Sequence, residues 1–330
     1  MNLPAYTIAI RTLGKSGDTF VTEIKSILAQ THAPVSINAY IPDGYSRPEF
    51  EGSEHITWIS SPKGMVTQRS LDFDEITTDY ILFLDDDLQL APDTVEKMMS
   101  ALVENQADCI TANVFENHKG SLAWKLKAIA DGTNPAMNTP WAFRIRKSGF
   151  YSYCNNPSEI METQSGAGAC CLIKKSAYKN MHFEDERWLE AIGYCFGDDQ
   201  MFHYKLHSNG WKILTHFSTG IVHLDAKTSH EKDKSKQFRN KNFLRYLLWH
   251  RSIYLPAKTR MERLWVSACF WGMVARLSLF DIAMGFAARD FYRLANRIPG
   301  VLKGRRMSKT DSYRAIPPFD LYKNTDSRIR

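Results

Sequence analysis

The chain has 330 residues, with 42 Lys and Arg against 36 Asp and Glu for a formal charge of +6, and 44% of its residues are hydrophobic. That is enough apolar material to bury a sizeable core, and a mild basic excess without any recognised nucleic-acid-binding module argues against a nucleic-acid partner. The six cysteines include the adjacent pair Cys170 and Cys171 but no CxxC pattern, which reads as reduced thiols rather than a disulfide framework or a zinc site. The opening MNLPAYTIAI has no basic region followed by a long apolar run, so no signal peptide is expected and a cytoplasmic enzyme fits.

Tyr6 to Ile10 is predicted as a first strand, followed by the polar loop RTLGKSGD from Arg11 to Asp18. Phe20, Ile24, Ile27 and Leu28 fall at helical spacing between Thr19 and Gln30. Val35 to Ile41 and Ile56 to Ile59 are further strands, the first ending in the turn residues Pro42-Asp43-Gly44. PKGMVTQRS, Pro62 to Ser70, leads into a helix expected to run to about Thr77. Ala91-Pro92-Asp93 opens another helix carrying Val95, Met98, Met99 and Leu102, and Ala107 to Val114 is a further strand. Strands alternating with helices predict a mostly parallel sheet covered on both faces. The first loop lacks both GxxxxGK[ST] and GxGxxG, so neither a P-loop nor a dinucleotide fingerprint is supported.

Between these elements lies YILFLDDDLQL. Tyr80 to Leu84 is apolar without Gly or Pro, as a central strand requires, and it runs straight into Asp85, Asp86 and Asp87. Three adjacent carboxylates at the carboxyl end of a central strand repel one another unless a cation or a set of donors offsets them. They are therefore a candidate site for a divalent metal bridging to a phosphorylated ligand, the alternative being a solvated acidic turn. Arg69 and Lys63 are candidates to pair with phosphate, and Asp43 is either a ligand contact or an ordinary turn residue.

The second half opens with an irregular stretch from Asn117 to Ser165 whose aromatics, among them Trp124, Trp141, Phe143, Phe150, Tyr151 and Tyr153, form either an acceptor wall or the core of an inserted hairpin. SGAGACCLIKKSAY then reads as a small-residue turn and a strand, with Gly166 and Gly168 permitting close approach to a ligand. Asp198 and Asp199 stand at the start of a helix, where a carboxylate is either a cap or, in a cleft beside substrate, a general base. Trp211 to Ala226 is a strand pair ending near His223, which sits within reach of a metal if the strand ends converge.

Taken in order, DDD after a central strand, SGAGACCLIKKSAY, HFEDERW, FGDDQMFHYKLHSNGWK and IVHLD resemble the glycosyltransferase family 2 pattern over roughly Ala5 to Asp225. The resemblance implies a GT-A fold, α/β with a mostly parallel sheet and flanking helices, and an inverting transfer of a sugar from a nucleotide-sugar donor assisted by Mg²⁺ or Mn²⁺. It implies Asp87 as the direct metal ligand with Asp85 and His223, and Asp85, Asp86, Asp43, Arg69 and Arg11 as donor-site residues. Asp199 matches the catalytic base, preceded here by Asp198 where the family carries Glu. Gly166, Gly168, Glu184, Trp188 and Asp198 fall on the acceptor side, although Glu184-Asp185 departs from the usual Phe-Asp-Glu. The implied partners are a nucleotide-sugar donor and a glycan or lipid-linked acceptor in surface polysaccharide or lipopolysaccharide synthesis.

The expected organisation is a catalytic domain over 1–226, with a donor half to about 114 and an acceptor half from 115. A basic and apolar helical extension follows over 227–305, and 306–330 is a polar, poorly ordered tail. Leu264 to Ala288 is apolar but contains Arg276 and Asp281. A spanning helix would have to desolvate both, so packed amphipathic helices with peripheral contact at the inner face of a membrane are expected. Two other classes remain open: a sugar-phosphate nucleotidyltransferase, which RTLGKSGD suits poorly, and a non-catalytic metal-binding module.

Overall fold

The computed structural model describes residues 3–114, 140–154, 157–192, 197–224 and 233–324. Trp124 and the basic run 227–232 lie outside them. The first strands are β1 (Tyr6–Arg11), β2 (Ser36–Pro42), β3 (Ile56–Ser61), β4 (Tyr80–Asp85), β5 (Leu88–Gln89) and β6 (Cys109–Ala112). Between them lie the helices α1 (Asp18–Leu28), α2 (Met65–Arg69) and α3 (Thr94–Glu104). There follow β7 (Phe143–Ile145), β8 (Tyr151–Tyr153), β9 (Ile160–Glu162) and β10 (Cys170–Lys174), then α4 (Lys175–Asn180), a 3-10 segment over Phe183–Ile192 and α5 (Asp198–Ser208). β11 (Ile213–His216) and β12 (Val222–His223) complete the strands.

Among the described residues, eight strands form one sheet in the order β3-β2-β1-β4-β10-β6-β11-β9. β1 is parallel to β2 and β4, and β2 to β3, while β10 runs antiparallel to both β4 and β6. This reversal builds the site. Arg11 is paired with Asp85 at the carboxyl ends of β1 and β4, and Cys170 at the start of β10 lies opposite Leu84. The small-residue stretch before Cys170 is thereby delivered to the place where the parallel strands end.

Period-two alternation divides the strands between two cores. Ile8, Ile10, Leu82 and Leu84 face Phe20 and Ile24 of α1 and Met98 and Leu102 of α3. Ala9, Ile81 and Phe83 face Phe73, Tyr178 and Phe202. The helix expected to reach Thr77 stops at Arg69. Phe73 instead takes a left-handed backbone, φ 51°, and buries its ring against Tyr40, Phe83 and Tyr178, so tertiary packing overrides the local helical pattern. Phe143, Tyr151 and Tyr153 belong to a β7–β8 hairpin, as the second of the two alternatives for that stretch anticipated.

The extension consists of α6 (Lys234–Trp249), a π-helical turn over His250–Tyr254, α7 (Arg260–Ala288) and α8 (Tyr292–Met307). α6 and α8 pack backbone to backbone: a Cβ on Gly300 would lie 2.5 Å from the Arg239 carbonyl oxygen, and one on Gly304 would lie 2.7 Å from that of Phe243. α7 is long and apolar enough to cross a membrane. However, Val266, Phe270, Val274 and Leu277 are buried, and Asp281 accepts from Arg297 Nε of α8 at 2.5 Å, so this charge is matched inside the helical layer. Met261, Leu264, Trp265, Leu279 and Phe286 remain exposed. The expected loose tail is corrected as far as residue 324: Tyr313 and Phe319 are buried, and Tyr322 packs on His182.

The extension is joined to the sheet domain by a buried charge cluster. Glu186 is fully buried and accepts from Arg251 Nη2 at 2.9 Å, Lys205 Nζ at 3.1 Å and Trp188 Nε1 at 2.8 Å. Burial works against its charge, but Arg251 and Lys205 outweigh this and hold the carboxyl below its ordinary range. Removing one member of such a cluster strands the others without solvent. Glu186→Ala is therefore expected to cost about 3–5 kcal/mol of stability in urea unfolding, and a loss near zero would show that the cluster does not hold the two parts together.

Candidate active site

The site begins where β1 and β4 end. Asp85 is ion-paired with Arg11, and its backbone N–H donates to the Ala169 carbonyl at 2.9 Å, which ties the acidic turn to the start of β10. Asp86 accepts from Thr12 Oγ1 at 2.6 Å. Burial raises its carboxyl, Asp85 and Asp87 raise it further, and the hydrogen bond from Thr12 acts against both. Glu23 of α1 lies fully buried near these three anions, and burial together with Asp86, Asp87 and Asp85 pushes its carboxyl up.

Asp87 is brought to His223 by a short antiparallel ribbon. β12 pairs with β5, placing His223 opposite Leu88, and Leu224 N–H donates to the Asp87 carbonyl at 2.8 Å. His223 Nε2 then lies 3.1 Å from Asp87 Oδ1. One carboxylate and one imidazole, both reached by solvent, suit a divalent ion that completes its shell with phosphate oxygens and water. Asp85, expected as a further ligand, gives its Oδ1 to Arg11.

The second carboxylate pair arrives from α5. Arg69, at the end of α2 and buried, is ion-paired with Asp199 and lies 3.4 Å from Asp198 Oδ2. Its Nη2 also donates to the Gly168 carbonyl at 3.4 Å. Gly168 has no room for a side chain, because a Cβ there would overlap the Asp199 carboxylate and Arg69 Nη1. A Cβ on Gly166 would come within 2.6 Å of Thr111 Oγ1. In the structure the close approach at these two glycines is to the protein's own side chains. Since Gly168 precedes Ala169, which holds Asp85, the two acidic groups meet across the start of β10.

Asp198 and Asp199 differ in surroundings. Asp198 is buried with Oδ2 lacking a hydrogen-bond partner, and burial pushes its carboxyl up to about 6 against the pull of Arg69. The Asp199 side chain is 40% exposed. Packing around it raises its carboxyl, but the guanidinium groups of Arg69 and Arg11 bring it below the ordinary range. Asp199 is thus the ionised, accessible member of the pair.

α2 is only five residues long and is anchored from far along the chain. Glu190 accepts from the backbone N–H groups of Met65, Val66 and Thr67 at 3.2, 2.8 and 3.0 Å, which fixes the helix that presents Arg69. Sequence reading missed Glu190 and Thr12. The first lies 121 positions from Arg69 (190 − 69), and the second is an unremarked threonine beside Arg11. Asp43 follows β2 in a turn and accepts from Ser60, and Lys15 and Lys63 lie 5.0 and 5.2 Å from the Tyr45 ring centre. Two acceptor-side expectations make their contacts elsewhere. Glu184 pairs with His182 at 2.7 Å, and Trp188 packs edge-on to Tyr313 of the C-terminal segment.

Residues 46–181 match the family described as Glycosyl transferase family 2. No curated protein matches the chain by sequence. Among solved structures, the chain is similar to GalNAc-T7 with UDP, GalNAc and Mn²⁺, with TM-score 0.51 and 12% identity over 86% of this chain, of which it spans 58% of the length. It is also similar to the mannosyltransferase PcManGT from Pyrobaculum calidifontis in complex with GDP-Man and Mn²⁺, with TM-score 0.50 and 11% identity, covering 94% of this chain and 89% of that one. At these identities the likeness establishes the fold, a GT-A-like sheet with flanking helices. The family match is thus confined to a region that holds the acidic turn and the start of β10, and the chain spans less than two thirds of the length of GalNAc-T7.

Proposed function

We propose that this chain is a family 2 glycosyltransferase that moves a sugar from a nucleotide-sugar donor to a hydroxyl of a glycan or glycolipid acceptor, with inversion at the anomeric carbon. The observation that carries the reading is the Arg69–Asp199 ion pair seated on Gly168, one residue from the backbone that fixes Asp85. It sets an accessible carboxylate and a metal-suited carboxylate–histidine pair along one strand end.

In this reading Asp87 and His223 hold the divalent ion, with Mn²⁺ or Mg²⁺ the candidates. When bound, the ion supplies Lewis-acid neutralisation of charge on the departing diphosphate. Arg11, Asp43, Asp85 and Asp86 line the donor side, and Lys15 and Lys63 add cationic groups near its nucleoside end. A diphosphate offers Arg69 a competing anion, and a shift of the guanidinium toward it frees Asp199. Asp199 then accepts the proton of the acceptor hydroxyl as its oxygen bonds to the anomeric carbon and the sugar–phosphate bond breaks. A single displacement with one base gives inversion. Gly166, Gly168 and Asp198 back the acceptor side.

The same reading takes residues 1–226 as the catalytic unit and 227–305 as a docking extension. The exposed apolar residues of α7, near Arg260, Arg263 and Arg289, suit contact with the inner face of a membrane and hence a lipid-linked acceptor. A cytoplasmic setting is in keeping with the free thiols of the core. Thermal melting of the chain against a panel of nucleotide sugars is expected to give a rise in Tm with one of them, enlarged by Mn²⁺, because a ligand that binds only the folded state stabilises it by mass action. A flat panel with and without Mn²⁺, alongside pyrophosphate release from a nucleoside triphosphate and a sugar phosphate, would replace this proposal with nucleotidyl transfer.

A further inference from the structure

A second group of donors lies in the core beneath the cleft and takes no part in the transfer chemistry. Cys109 on β6 pairs with Ile173 of β10, and Cys171 on β10 pairs with Thr111 of β6. The two cysteines are thus diagonal neighbours on one face of the sheet, with their Sγ atoms 3.3 Å apart. His203 enters from α5. The two Sγ atoms and a ring nitrogen of His203 all lie within 4.8 Å of one another. Cys109 and His203 are fully buried, and Cys171 is 2% exposed.

The histidine tautomer is fixed by its neighbour. His203 Nδ1 lies 2.9 Å from the backbone carbonyl oxygen of Asp199. A carbonyl can only accept, so Nδ1 carries the proton and the neutral ring has its lone pair at Nε2. That Nε2 is buried without a hydrogen-bond partner. A lone pair left unmatched in the interior is costly. A ring whose far N–H is held by a backbone carbonyl is also the arrangement that metal-ligating histidines adopt.

We propose that Cys109, Cys171 and His203 form a binding site for a thiophilic d¹⁰ cation, with Zn²⁺ the best match. Two thiolates, a neutral imidazole and a divalent ion sum to zero charge, which suits surroundings built from Phe202, Leu206 and Ile213. Bonds of about 2.3 Å to sulfur and about 2.0 Å to nitrogen place tetrahedrally arranged sulfurs about 3.7 Å apart. The cysteine side chains therefore need to spread by only a few tenths of an ångström. Binding releases the two thiol protons to solvent, with no change of oxidation state. The ion clamps β6 and β10 to α5, the helix whose first turn presents Asp199. His203 is in this sense a positioning residue, and the site stands whether or not the chain transfers sugar.

The same geometry is also satisfied by a Cys171 thiol donating to Nε2, and the test separates the two. The full chain, expressed in zinc-supplemented medium and purified without chelator, is analysed for metals by mass spectrometry. One equivalent of zinc or copper per chain is expected, unchanged in Asp87→Ala, kept in Cys154→Ser and lost in Cys109→Ser and Cys171→Ser. Growth with Co²⁺ should give thiolate-to-cobalt charge-transfer absorption that disappears in the same two variants. If those variants fail to fold, the metal content and cobalt spectrum of the unmodified chain and of Asp87→Ala still decide. A chain with only trace metal and no charge-transfer band, a Cys109–Cys171 disulfide in the non-reduced peptide map, or zinc lost with Asp87→Ala would each overturn the proposal.

Discussion

Asp199→Asn is expected to lower the rate of sugar transfer by about 10²–10⁴-fold, the contribution of a positioned general base, or about 3–5 kcal/mol in the barrier. The amide keeps the size of the side chain and a hydrogen-bonding oxygen for Arg69 but cannot accept the acceptor's proton. Steady-state turnover with the donor found by melting is the check, with kcat falling and donor KM nearly constant. Because Arg69 and Arg11 outweigh burial and hold Asp199 below the ordinary carboxylate range, the base stays ionised through neutral pH. The loss in Asp199→Asn should therefore not be recovered by raising the pH. Unimpaired turnover in this variant would transfer the base role to another group. Asp198 is a poor substitute, since it is buried and carries its proton up to about pH 6.

Asp87→Ala is expected to abolish transfer by a different route. It removes the carboxylate paired with His223 at 3.1 Å and leaves the imidazole alone on the short β5–β12 ribbon. Asp85 and Asp86 already give one oxygen each to Arg11 and Thr12, so neither is placed opposite His223 as Asp87 is. The deficit should therefore appear in metal dependence. Activity of the unmodified chain should rise with Mn²⁺ to saturation, whereas Asp87→Ala should stay inactive at concentrations that saturate the parent. Substantial activity regained at high Mn²⁺ would mean that other donors carry the ion and that Asp87 only tunes affinity.

The sequence was informative wherever chemistry and position coincide in one short stretch. Tyr80 to Leu84 has the unbroken apolar character of a central strand, and it occupies that place with Asp85–Asp87 at its carboxyl end. Asp198 and Asp199 open a helix, as their spacing before Met201, Phe202 and Leu206 suggested. What could not be read is long-range pairing. No local pattern says that β10 runs against its neighbours, yet this reversal brings Gly168 to Asp85 and turns two acidic motifs into one site. Likewise, nothing near Arg69 reveals that Glu190 caps its helix or that Asp199 is its partner. The helix expected to reach Thr77 was misread because Phe73 gains more from the aromatic cluster than the backbone loses by leaving helical geometry. Cys109, Cys171 and His203 are gathered in the same way, by two strands and a helix, which no CxxC spacing announces.

The claim on which the functional account rests is that one cleft divides its labour, with Asp87 gripping the donor's cation and Asp199 serving only the incoming hydroxyl. Calorimetric titration of the donor with Mn²⁺ into Asp199→Asn and into Asp87→Ala tests this most directly. The account predicts undiminished donor affinity in the first and none in the second. Donor binding lost in Asp199→Asn, or retained in full by Asp87→Ala, would contradict it.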